Sequence, residues 1–156
     1  MSQKTLYGNY YLNSISQNPY RILGVTADAS KKEITTNVNK FKAFLKVWKS
    51  ISCEFDNISG TSKIDRSVDS IILAEKAIEL PIDHLRWTLF WFVNETPIDK
   101  IALNHIKSGH IDKARTIWSK VETISSLLNI VVLELTQHHY VLSVKTAISI
   151  FQKAAS

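Results

Sequence analysis

Apolar side chains return every third or fourth residue along most of this chain, and no convincing run of alternate positions appears. That period builds helices and not strands. A sheet protein also consumes turn residues, and 156 residues with four glycines and three prolines have few to give. The fold class read from this pattern is all-α, with about six to eight helices. The length suits one domain or two small ones sharing an interface. Hydrophobic residues at 45% and charged residues at 21% supply a core and exclude a disordered chain.

The same scarcity removes chemistry. No glycine-rich phosphate loop of the dinucleotide or P-loop type occurs. One cysteine, Cys53, excludes an internal disulfide and a cysteine-built zinc site. Lysine and arginine outnumber the acids by 19 to 14, a net +5 that admits an acidic partner without choosing among protein, nucleic acid and lipid. Met1 to Gln17 holds one lysine and no apolar run, which is not a signal peptide. The most apolar stretch, Leu127–Leu135, is broken by Asn129 and Glu134. The expectation is a cytoplasmic protein with no membrane partner.

Residues 1–17 read as an arm, with Tyr7, Tyr10 and Tyr11 available for packing. Pro19 starts a short helical turn that Gly24 stops. Ser30-x-x-Glu33 is a capping box before a run with Val38, Phe41, Leu45 and Trp48 on one face, Phe44 at its margin, and Lys31, Lys42, Lys46 and Lys49 on the other. The expected helix is about 18–20 residues long. Residues 50–63 read as a loop, and a helix is expected from about Asp65 to Leu80. Pro81 ends that helix or opens the next. Leu85–Val93 is apolar nearly all round, which predicts a central, buried helix. Thr96-Pro97 marks a boundary, followed by helices at Ile98–Lys107, Ile111–Val121, Ile124–Thr136 and Leu142–Ala155.

Asn18-Pro19-Tyr20-Arg21-Ile22-Leu23-Gly24-Val25, then Ala29-Ser30-Lys31-Lys32-Glu33-Ile34, resembles the opening of a J-domain. Leu80 and Arg86 keep a spacing of that family's later helices, so the similarity covers roughly Asn18–Phe92. Members of that family stimulate heat-shock chaperone ATPases through a His-Pro-Asp tripeptide after the second helix. Here those positions hold Lys46, Val47 and Trp48, and no His-Pro-Asp occurs in the chain. The resemblance implies a J-like fold and argues against J-type stimulation. With nothing to break it, the helix is expected to continue through the three positions.

Ile98, Ala102, Gly109, Ala114 and Trp118 are similar to one tetratricopeptide repeat. In that family small residues let two helices approach, glycine turns the chain and an aromatic ring fills the gap. A weaker second copy has Val131, Leu135, Ala147, Phe151 and Ala154, close to the family period, with Leu142 in place of the glycine. Such repeats need neighbours to cover their faces. Either the J-like unit caps one end or the chain belongs to a longer array. The implied organisation is residues 1–17 as arm, 18–93 as a degenerate J-like unit and 97–156 as tetratricopeptide-like hairpins.

The candidates for catalysis all have plainer readings. His84, His105, His110, His138 and His139 lack the three- or four-residue spacing of helical metal pairs. Cys53 has no histidine nearby in sequence. Glu75 and Glu79 suit a solvated helix face, and Asp83-His84 a helix start. Trp87, Phe90, Trp91 and Phe92 would serve as stacking platforms for bases only if exposed and interleaved with basic residues, and only Arg86 is near. No catalytic residue, metal, cofactor or small-molecule ligand is expected. The function read from the sequence is a non-enzymatic protein-interaction module or adaptor. It is chaperone-related by resemblance, and it contacts an acidic partner through Lys31, Lys42, Lys46 and Lys49. The alternative is nucleic-acid binding by the same basic face.

Overall fold

The computed structural model describes residues 13–154. After a helical turn at residues 13–16, eight helices follow: α1 (Pro19–Leu23), α2 (Lys31–Lys46), α3 (Val68–Lys76), α4 (Pro81–Thr88), α5 (Pro97–Lys107), α6 (Ile111–Ser119), α7 (Ile124–Thr136) and α8 (Tyr140–Ala154). No strand occurs among the described residues, so the fold is all-α. The tyrosines of the expected arm lie outside the described residues. The last residues of that segment form the helical turn, within which Ile15 is wholly buried.

Side chains start these helices where the sequence places them. Asn18 accepts from the Tyr20 N–H at 3.0 Å, leading into Pro19 at the first position of α1. Ser30 with Glu33 and Thr96 with Asp99 form reciprocal capping boxes that open α2 and α5. Pro81 opens α4. The Asn18, Ser30 and Thr96 caps satisfy backbone donors that the first turn leaves unpaired, while Pro81 removes one such donor.

Two buried arginines order the loop between α2 and α3. The Arg21 guanidinium donates to the carbonyls of Ser16 (2.9 Å), Asp56 (3.0 Å) and Ser62 (2.9 Å) and to the Thr61 hydroxyl (2.8 Å). Arg66 forms a forked pair with Asp56 (2.7 and 2.8 Å) and donates to the carbonyls of Ile22 and Arg21. Burial lowers Arg21 to about 10, still cationic at neutral pH. Burial raises the Asp56 carboxyl, but hydrogen bonds from Arg66 and the Cys53 N–H, with the charges of Arg66 and Arg21, hold it below its ordinary value. The loop so fixed inserts Phe55 and Ile58 into the core. It also presses Gly60 against α7, where an added Cβ would stand 1.8 Å from the Thr136 carbonyl oxygen.

The two halves share one core through residues 91–93. The Phe92 ring stacks on Phe55 at 6.4 Å and on Trp118 at 6.0 Å. Asn129 exchanges two hydrogen bonds with the Val93 backbone, both 2.9 Å. This corrects the expectation for Leu85–Val93. The helix ends at Thr88 and α4 buries no residue, while Trp91, Phe92 and Val93 are buried outside it. The central helix is α7, buried on every side from Asn129 to Thr136. Its Glu134 is wholly buried, held by Arg115 at 2.5 Å and by His139 at 2.6 Å.

The α5–α6 hairpin packs through Ala102, Ala114 and Trp118, all at zero exposure. Gly109 turns the chain between the helices at φ 77°. Phe151, expected to fill the equivalent gap between α7 and α8, is instead 76% exposed.

Candidate interaction surfaces

Helix α2 buries Val38 and Phe41 and half-buries Leu45, as the period of its apolar residues requires. It then stops at Lys46, sooner than its length was expected to be. The Trp48 N–H bonds to the Leu45 carbonyl (3.2 Å) and the Lys49 N–H to the Phe44 carbonyl (2.9 Å). That pair of bonds is a Schellman turn, whose residue after the cap adopts the left-handed conformation normally given to glycine. Here that residue is Trp48, at φ 56°. The turn swings the ring off the apolar stripe, and Trp48 is 96% exposed instead of lying in the core. The expectation that the helix continues through Lys46, Val47 and Trp48 is therefore corrected.

The four predicted lysines do not form one face. Lys42 pairs with Glu75 of α3 at 3.3 Å and is half-buried there, so its charge is already partnered. Lys31 lies at the opposite end of α2, about 22 Å from Lys46 at 1.5 Å per residue. There it lines a cleft of about 400 Å³ with Ile34, Ile72, Glu75, Glu79 and His84. Lys46 and Lys49 stand on either side of Trp48 in the chain and are exposed with it. They are joined by Lys40, which the sequence reading passed over. Lys40 and Lys49 each stand 5.7 Å from the Phe44 ring centre, a cation–π distance. None of Lys40, Lys46 and Lys49 has an ion pair among the described residues. Residues 34–53 contain four lysines and no acid, so nothing in that segment neutralises the tip.

A second surface lies on α8. Ser143 faces α7 and donates to the Val131 carbonyl at 3.2 Å. On another side of the helix Val141, Val144, Ile148 and Phe151 are all exposed. Their 3-4-3 spacing sets them in one stripe, the seam pattern by which a helix meets another helix. Single exposed apolar residues are ordinary, whereas a row of four on one helix is not. Sequence periodicity could not separate this row from the packed one, since Tyr140, Ala147 and Ile150 supply a second apolar face.

Two of the histidines bond to tyrosines. His84 meets the Tyr20 hydroxyl through Nδ1 at 2.6 Å. His138 contacts the Tyr140 hydroxyl at 3.0 Å. Burial pushes the Cys53 thiol up, away from the thiolate a nucleophile needs. Among the described residues no group of three His, Cys, Asp or Glu could hold a metal ion. No described helix is long and apolar enough to cross a membrane. Compared with protein families, curated proteins and solved structures, the chain matches none.

Proposed function

We propose that this chain is a non-enzymatic protein-interaction module or adaptor, in which a J-like helical unit buttresses tetratricopeptide-like hairpins. The observation that carries the reading is the exposed stripe Val141, Val144, Ile148 and Phe151 on α8. A helix with two apolar faces and only one of them covered is a helix built to meet a partner. The small residues Ala102 and Ala114 around Trp118 support the repeat-like description of α5 and α6. A chaperone-related role rests on the resemblance alone. The Schellman turn at Lys46, Val47 and Trp48 leaves no histidine or aspartate where stimulation of the ATPase would need them.

Affinity capture from the source cells, followed by mass spectrometry, tests the reading with two baits. The wild type should retain a discrete set of proteins, and Ile148→Glu with Phe151→Glu should lose them while keeping its circular dichroism. Capture of the same proteins by both baits would remove α8 from the account.

A further inference from the structure

We propose that the end of α2 is a platform for single-stranded nucleic acid, with Trp48 stacking on an unpaired base and Lys40, Lys46 and Lys49 contacting phosphates. This goes beyond the protein-interaction reading and uses a different surface, so either can fail without the other.

Four observations converge on it. First, Trp48 is 96% exposed, which leaves its indole free to be covered. Second, the ring is held there by a backbone conformation that penalises it. A bulky residue at φ 56° is an outlier, and the same turn closes with glycine at Gly109 in this chain. A strained conformation that displays a large ring to water does not serve packing, and such strain collects at functional positions. Third, three lysines without ion pairs among the described residues lie on the last two turns of α2 and the turn that carries Trp48, two of them drawn in beside Phe44. Fourth, residues 34–53 contain no acid.

An exposed ring interleaved with basic side chains is the condition that Trp87 and Trp91 failed and that Trp48 meets. The pairing of ring and point charges also selects the ligand. Every unit of a single strand carries a flat π-face and an anion, so one nucleotide can engage indole and ammonium together. A duplex offers the phosphates but keeps its bases stacked inside. An acidic peptide offers charges without a flat face in every unit. An anionic bilayer calls for a broader apolar surface than Val47 and Trp48 provide.

The experiment titrates the protein with a labelled 12-nucleotide oligo(dT), a duplex of the same length, a poly-glutamate peptide and phosphatidylserine vesicles. The expected result is that the single strand binds tightest and quenches Trp48 emission. Three phosphate contacts predict a slope of about −2 for log affinity against log salt. Trp48→Gly should be at least as resistant to urea as the wild type, because glycine suits the turn, yet bind the single strand at least tenfold more weakly. Lys46→Glu with Lys49→Glu should weaken binding and flatten the salt slope. Equal affinity for single strand and duplex, unchanged in Trp48→Gly, would overturn the proposal in favour of bare electrostatics. Tighter binding of poly-glutamate, a blue shift on the vesicles in place of oligonucleotide quenching, or no oligonucleotide binding at about 50 mM salt would each overturn it too.

Discussion

Asp99 is the residue on which the α5–α6–α7 arrangement turns, and its removal gives the sharpest test of the fold. Its carboxylate has no exposed surface and no cationic partner among the described residues. It accepts instead from the Thr96 N–H (2.9 Å) and hydroxyl (2.8 Å), the Trp118 indole N–H (3.0 Å), the Ser125 hydroxyl (2.9 Å) and the Asn129 amide (3.1 Å). One acceptor thus ties the cap of α5 to α6 and α7. Asp99→Ala forfeits the capping-box contribution, about 1 kcal/mol. It also orphans the buried indole N–H, which costs about 1–3 kcal/mol. Ser125 keeps Thr123 as a partner and Asn129 keeps the Val93 carbonyl, so these two lose less. The expected loss is about 3–5 kcal/mol with their weakened bonds included. Urea titration reads this as a midpoint shift of more than about 1 M, given slopes of about 1–3 kcal/mol/M. Trp118→Phe removes the donor itself, so the two substitutions should couple by about 1–3 kcal/mol in a double-mutant cycle. A loss below about 1 kcal/mol for Asp99→Ala, or additivity in the cycle, would show that Asp99 does not hold these helices together.

Gly60→Ala should destabilise the chain by about 2–4 kcal/mol, because its φ of 83° and its contact with the Thr136 carbonyl both reject a Cβ; thermal unfolding checks it. Asp56, held below its ordinary value in the folded state, adds stability that is complete above the unfolded carboxyl value of about 4 and is lost as pH falls through the lower folded value. Asp56→Asn should therefore flatten the acid limb of a stability–pH profile, while leaving the chain less stable at neutral pH because Arg66 loses its buried counter-charge. The full chain should not accelerate single-turnover ATP hydrolysis by a heat-shock chaperone from the same source, since Lys46-Val47-Trp48 offers neither the histidine nor the aspartate of the tripeptide.

Helix starts were legible because they are written in side chains that bond locally. Asn18, Ser30, Thr96 and the prolines beside Asn18, Leu80 and Thr96 say where a helix begins. Helix ends were most legible where glycine supplies the left-handed residue, as at Gly24 and Gly109. At Trp48 and His138 the same turn closes without glycine, held by the Lys49-to-Phe44 and His139-to-Glu134 backbone bonds. The second of these stops agrees with the expected end at Thr136, because the apolar period lapses at Gln137-His138-His139, whereas no lapse announces the first, which moved Trp48 from the core to the tip. The lysine face failed for a related reason. Periodicity ranks a residue by its angle on its own helix, but Lys42 is placed by Glu75 of α3, a contact no period contains. Leu85–Val93 failed because an all-apolar run does not distinguish a buried helix from a helix end followed by a buried strap.

The partner-binding stripe proposed for α8 is open to calorimetry on the purified partner recovered by wild-type capture. Burying Val141, Val144, Ile148 and Phe151 removes apolar surface from water, so binding should carry a negative heat-capacity change. Ile148→Glu with Phe151→Glu should weaken the affinity at least a hundredfold, about 2.7 kcal/mol. Unchanged affinity in that variant, with a heat-capacity change near zero for the wild type, would contradict the claim.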